Sequence, residues 1–296
     1  MTSNVTHESY TPSERSETSI PENHLSDIRH LLIDIDGVLF RGNHALPSAA
    51  EFILWLRSCN VRFKMITNNS TLTPAQNAAK LAQMGIDVRA DQVLTSSLAT
   101  ASYLLTQGAH GQAVLVIGEH GLRSALSDAG IIITDAPDDA HWVVAGLDRT
   151  VTYEKLKRAT LAIERGAHFV ATNSDRTLPV EGGLIPGAGA LQAAITAATG
   201  VEPLVIGKPE PRMLELAMET LGATRESTAM VGDRIDADIA AANACGIYSI
   251  LVLTGVSRRK DLTQTGSTPS VVVEDLRSLM DTWNASLSHH ATQTSE

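Results

Sequence analysis

Asp34 and Asp36 stand with one residue between them at the end of the apolar run His30-Leu-Leu-Ile-Asp34, and Gly37 follows. Acids at i and i+2 project to the same side of a strand or its first turn. An unpaired carboxylate at the end of a buried strand is costly, so the pair needs a partner or a use. On its own, Asp-x-Asp-Gly also fits a solvated strand end and turn, because Asp and Gly are ordinary turn residues. Three further clusters change the balance: Thr67, Asn68 and Asn69; Lys208; and Asp233 with Asp238. Acids meeting at one point repel unless a cation sits among them. A set of oxygen donors with no His or Cys favours a hard ion, and Mg²⁺ fits it best. The remaining groups suit a phosphoryl ligand. A Thr hydroxyl and the amides after it can hold phosphate oxygens, and a Lys ammonium offsets their charge. One Asp can attack phosphorus while another moves a proton to or from oxygen.

Each cluster closes an apolar run that reads as a strand. His30–Asp34, Val61–Thr67, Leu204–Gly207 and Thr228–Asp233 are short, rich in branched residues and bounded by Gly or polar residues. Such runs fit strands buried on both faces of a parallel sheet, where ligands gather at the carboxyl ends. Helical spacing appears between them, in Ala49–Ser58, from Pro74 to Met84 and in Arg212–Leu221. The alternation predicts an α/β chain, a doubly wound parallel sheet with a smaller α/β unit inserted. About thirty residues separate Asp34 from Thr67, enough for one crossover. About 140 separate Thr67 from Lys208, so the inserted unit lies there. The expected divisions are a tail over 1–25, a core over 26–105 and 201–285, the inserted unit over 106–200, and a tail over 286–296.

The net charge of −10 excludes a general nucleic-acid or membrane-surface binder, which needs a basic footprint. A small anionic partner remains compatible, since a bound cation reverses the local field. No apolar run reaches the length of a membrane span. Two cysteines, Cys59 and Cys245, imply no disulfide framework and suit a reducing cytoplasm.

In order along the chain, Asp34-Ile-Asp-Gly-Val-Leu-Phe-Arg-Gly42, Thr67-Asn-Asn-Ser70, Gly207-Lys-Pro209 and Gly232-Asp-Arg-Ile-Asp-Ala-Asp238 resemble the haloacid dehalogenase-like hydrolases. The likeness is to the NagD-like, p-nitrophenylphosphatase-like branch, and it runs from about His30 to Leu279. The resemblance implies a Mg²⁺-dependent phosphatase of small phosphorylated metabolites that works through an aspartyl-phosphate. Asp34 is then the nucleophile and Asp36 the general acid/base. Thr67, Asn68, Asn69 and Lys208 bind the phosphoryl group. Asp34, Asp36 through its backbone carbonyl, and Asp233 hold the metal, with Asp238 in support. Ala237 departs from the branch, which often has Thr there, and a tuning effect is expected. The short Asp34–Thr67 interval argues against the helical cap of the sugar-phosphate mutases. A mutase and a non-catalytic phosphometabolite-binding protein of the same fold remain the rival readings.

Within the inserted unit, Asn173 and Asp175 read either as contacts to the substrate's leaving group or as a capping turn before Pro179. Asp148 and Arg149 are further candidates. Gly182–Gly189 reads as a tight turn into a helix, and Arg258-Arg-Lys260 as a solvated basic run. A homodimer stays open.

Overall fold

Runs of Val, Ile and Leu that end in small or acidic residues make this chain a stack of parallel strands and covering helices. The computed structural model describes residues 25–180, 182–263 and 266–293. In chain order the strands are β1 (His30–Asp34), β2 (Phe40–Arg41), β3 (His44–Ala45), β4 (Arg62–Thr67), β5 (Val93–Thr95), β6 (Ala113–Ile117), β7 (Ile132–Thr134) and β8 (Trp142–Ala145). They continue as β9 (His168–Ala171), β10 (Thr177–Val180), β11 (Gly183–Pro186), β12 (Leu204–Val205), β13 (Thr228–Gly232), β14 (Tyr248–Val252) and β15 (Val271–Val273). The helices are α1 (Ala49–Ser58), α2 (Pro74–Gln83), α3 (Ser96–Thr106), α4 (His120–Asp128), α5 (Tyr153–Glu164), α6 (Ala188–Thr199), α7 (Arg212–Leu221), α8 (Ala240–Cys245) and α9 (Leu276–Gln293).

The main sheet is parallel throughout, in the order β15-β14-β13-β1-β4-β5. Its two faces separate by the strand period of two. Leu31, Ile33, Phe63, Met65, Ala229, Val231 and Ile250 meet Phe52, Ile53 and Leu56 of α1, Leu81 of α2, and Leu279 and Trp283 of α9. Leu32, Ile66, Leu94 and Met230 point the other way, onto α3, α7 and α8. Helix α2 begins at Pro74 as expected, behind a reciprocal cap: Thr73 Oγ1 accepts from the Gln76 amide, and Gln76 Oε1 accepts from the Thr73 amide.

A second parallel sheet, β12-β9-β8-β6-β7, carries α5 and α6 on one face. Its other face shares an apolar cluster with the main sheet. Val114, Val116, Val144 and Val170 join Leu104 of α3, Leu122 and Leu126 of α4, and Met213 and Leu214 of α7 in one contiguous body. The inserted unit therefore has a sheet of its own and an apolar cluster of its own beneath α5 and α6, while its other face shares a core with the main sheet.

Three expectations about boundaries are corrected. Strand β12 pairs with β9, so the inserted sheet reaches Val205, past residue 200. Leu25 lies in a buried turn over Leu25–Asp27, so the main body begins there; the remainder of the N-terminal tail lies outside the described residues. Helix α9 runs to Gln293, so residues 286–293 are helical and not a tail. Ser286 Oγ accepts from the Ser26 amide, and Leu287 packs against the main cluster. Gly183 opens β11, and β10 and β11 form an antiparallel hairpin where a tight turn into a helix was expected. No helix of the described residues is long and apolar enough to cross a membrane.

Candidate active site

Parallel register brings the polar strand ends together. Asp34 closes β1 beside Ile66 of β4, which places Thr67 one residue beyond it, and Ile33 faces Val231 of β13, two residues before Asp233. Asp34, Asp233 and Asp238 are all buried, and each offers a carboxylate oxygen within 4.8 Å of the others. Lys208 is 2 % exposed and reaches this group from the segment after β12, bonding Asp34 Oδ1 at 2.5 Å and Asp238 Oδ1 at 2.6 Å.

The acids are held individually. Asp238 Oδ2 accepts from the amides of Asp233 and Arg234, at 3.1 and 3.0 Å, inside the π-type turn Ile235–Ile239 that leads into α8. Asp238 therefore has both oxygens engaged, which fits a supporting role. Asp233 Oδ2 accepts from the Val256 amide at 2.6 Å. Two glycines make the close packing possible. Gly37 has φ +84°, and a Cβ on it would lie 2.5 Å from Asp233 Oδ2. A Cβ on Gly255 would lie 1.7 Å from the same oxygen, so any side chain there displaces the carboxylate.

Burial pushes the carboxyls up. Desolvation raises Asp34 well above the ordinary carboxylate range; Lys208 opposes this, and the charges of Asp238 and Asp233 add to it. Desolvation and Asp238 push Asp233 up to about 7, against the pull of the Val256 amide. Desolvation alone would lower Lys208, but the two acids outweigh it and hold the ammonium charged. Three carboxylates against one ammonium leave the cluster short of positive charge. The donor set fits one hard divalent cation, with Asp34 and Asp233 as its side-chain ligands.

Asp36 lies at the rim. Its side chain is exposed to solvent although protein surrounds it on most sides, and this crowding raises its carboxyl. Lys80 of α2 and Lys208 oppose the shift, and Asp175 adds to it. A raised carboxyl at the edge of the cluster suits a group that must carry a proton at one step and lose it at the next.

The loop after β4 joins the two sheets. Thr67 is buried, and its Oγ1 accepts from the Asn69 amide. Asn69 Oδ1 accepts from the amide and hydroxyl of Thr71, which shapes the loop. Asn68 spends its side chain on neighbours. Its Oδ1 accepts from the Lys208 amide, and its Nδ2 donates to the Lys208 carbonyl and to Asp175 Oδ2. It thus positions Lys208 from both sides. Asn173 donates to the Asn68 carbonyl at 2.8 Å, and its Oδ1 accepts from the Asp175 amide. Asn173 and Asp175 thus form a local turn that is bonded to Asn68 and Arg234 beside the acidic cluster.

Asp148 and Arg149 are engaged elsewhere. Asp148 accepts from Thr150 and from Lys155 Nζ at 2.7 Å, and Arg149 makes a two-pronged pair with Glu119. Both contacts stay within the inserted unit. Arg234 and Lys80 were not singled out from the sequence. Arg234 forks onto Asp236 and bonds Asp175 Oδ1 at 3.0 Å, so both Asp175 oxygens meet groups of the main sheet. Its place directly after Asp233 in a quoted motif was a usable signal. Lys80 sits 3.9 Å above the Phe40 ring, and no motif marks it.

Comparison with known proteins agrees with this geometry. Residues 31–132 match a model described as haloacid dehalogenase-like hydrolase, and residues 205–279 match a second HAD-hydrolase-like model. An acid sugar phosphatase of Staphylococcus epidermidis is 43% identical over 245 residues, covering 83% of this chain and 94% of that protein. The glycerol phosphate phosphatase of Mycobacterium tuberculosis, solved in complex with magnesium, superposes with a TM-score of 0.81 at 36% identity, covering 86% of this chain and 78% of that one. NagD from Escherichia coli superposes with a TM-score of 0.79 at 34% identity, covering 84% and 97%.

Proposed function

The chain belongs to the haloacid dehalogenase-like hydrolases, and on that premise we propose that it hydrolyses small phosphomonoesters by passing the phosphoryl group through Asp34. The observation that carries the reading is the meeting of Asp34, Asp233 and Asp238 around Lys208 at the ends of neighbouring strands.

An Asp34 oxygen attacks phosphorus, the bond from phosphorus to the ester oxygen breaks, and Asp36 gives its proton to the departing alcohol. The carboxylate left on Asp36 then takes a proton from water. That water's oxygen attacks phosphorus, the bond to Asp34 breaks, and inorganic phosphate leaves. Lys208 offsets charge on the transferring oxygens throughout, and Asn68 fixes its backbone at both amide and carbonyl. Thr67 and the amides that follow it hold the remaining phosphoryl oxygens. Asp34, the Asp36 carbonyl and Asp233, with Asp238 in support, would hold Mg²⁺, which would neutralise charge on the phosphoryl group. The substrates are sugar, glycerol or nucleoside monophosphates. Sugar phosphates come first in this reading, supported by the 43% identity to an acid sugar phosphatase. The reducing cytoplasm suits the free Cys59 and Cys245.

Phosphate release over a panel of phosphorylated metabolites, with and without EDTA, tests this. At least one small monoester is expected to turn over, chelation to silence it and Mg²⁺ to restore it. In the Asp34→Asn variant turnover falls by about a thousandfold or more with the fold unchanged. Substantial residual turnover in that variant contradicts the assignment. Isomer interconversion without phosphate release would mark a mutase, and tight binding without turnover a binding protein.

A further inference from the structure

Arg41, Arg258 and Arg259 come from two distant segments to one surface cavity of about 490 Å³, which Thr254 and Glu274 also line. Arg41 lies on the β2–β3 hairpin, and the other two begin the basic run after β14. The cavity takes no residue from the acidic cluster and none from residues 106–200, so it is separate from the space under the inserted sheet. Three guanidinium groups against one carboxylate make a basic patch on a chain whose net charge is −10.

These cations are poorly neutralised. Among the described residues neither Arg41 nor Arg258 has an ion-pair partner. Arg41 donates to the Thr254 carbonyl and Arg258 to the carbonyl of Gly255 at 2.7 Å. Asp261, the nearest acid in sequence, accepts from the Arg258 backbone amide. Arg259 pairs with Glu274, but both side chains are more than 60% exposed, and such pairs hold weakly. A guanidinium carries five N–H donors in a planar fork matched to phosphate and carboxylate. Of the three guanidinium groups, only that of Arg259 meets a carboxylate among the described residues.

The cavity wall is also the back of the acidic cluster. Thr254 Oγ1 donates to the Gly37 carbonyl at 2.7 Å, next to Asp36. Gly255 packs against the Asp233 carboxylate, the Val256 amide donates to it, and the Ser257 amide donates to the Asp233 carbonyl at 3.1 Å. The Thr254–Ser257 segment thus links Arg41 and Arg258 to Asp233.

We propose that this cavity is a second ligand site, for a small polyanion with two or more phosphate or carboxylate groups, and that its occupancy adjusts the loop holding Asp233. The site goes beyond the hydrolytic reading and its binding is measured without turnover; the coupling alone rests on that reading.

Calorimetric titration of tripolyphosphate, and separately of citrate, into the full metal-free chain tests the site and tells the two anion classes apart. The wild-type chain binds at least one of them, with affinity falling as salt rises. The Arg41→Gln/Arg258→Gln double variant binds it about tenfold or more weakly. Glu274→Gln, which frees Arg259, binds it more tightly and guards against a double variant that folds poorly. Equal binding by all three proteins overturns the site. Turnover of p-nitrophenyl phosphate at fixed free Mg²⁺ reads the coupling: the bound anion changes the wild-type rate about twofold or more and leaves the double variant's rate alone. An unchanged wild-type rate at saturating anion overturns the coupling.

Discussion

Asp34, Asp36, Lys208 and Asp233 were readable as a set because each closes or follows an apolar strand run, and parallel strands put such ends side by side. The work of Asn68 was not readable. Whether an amide meets phosphate or a neighbouring backbone depends on which segment lies beside it, and here that is Lys208, 140 positions away. Lys80 was hidden for the same reason, since only the packing of α2 brings it towards Asp36. At this scale the titration of Asp233 makes a prediction. Its carboxyl is raised from 3.8 to about 7 in the folded, metal-free chain. The stability it contributes is therefore full below about pH 4 and is lost as pH rises from about 4 to about 7. Mg²⁺ competes with this proton and with that of Asp34, whose carboxyl is also raised, so its affinity climbs with pH by up to about tenfold per pH unit for each proton displaced. Calorimetric Mg²⁺ titrations from about pH 5 to about pH 8 check this; a flat affinity across that range contradicts it. His30, held low by burial and by Arg62, loses stability on the acid side in both states and cancels in the comparison.

Most helices and strands followed from periodicity and end signals, as with the Thr73–Pro74–Gln76 start of α2. The β10–β11 hairpin and the last turns of α9 did not. The hairpin is short and flanks glycines that read as a turn, and the end of α9 is polar in composition, its helix held by Leu287 and Ser286 against the main body. The loop carrying Asn173 and Asp175 is one point where the second sheet meets the polar strand ends of the main sheet. Asp175 bonds Asn68 and Arg234 together, so its truncation loosens Lys208 and the surround of Asp36 at once. Asp175→Ala is expected to lower kcat/KM by about tenfold, with Asp175→Asn recovering part of the loss through the surviving Asn68 contact. Steady-state kinetics on p-nitrophenyl phosphate read the effect, and unchanged constants in both variants would remove Asp175 from the positioning network.

Over the whole molecule, the insertion between Thr67 and Lys208 was legible from spacing alone, and the second parallel sheet fills it. Its shared core was not legible, because apolar residues of α3, α4 and α7 look the same whether they face one sheet or two. That shared layer and the loop after β4 fix the second sheet over the site. Gly121 of α4 lies so close to Leu72 that a Cβ would meet its backbone at 2.6 Å. Gly121→Ala should therefore cost about 1–3 kcal/mol of stability in urea unfolding; a wild-type midpoint would show that the two sheets yield easily there. The central claim concerns the covalent step. Enzyme quenched during turnover and treated with borohydride, then digested and weighed by mass spectrometry, reports which carboxyl carried phosphate. Reduction of the Asp34 side chain to an alcohol, seen only with substrate and Mg²⁺ present, is the predicted result. An unmodified Asp34 peptide under full turnover, or reduction at another acid, would contradict the account.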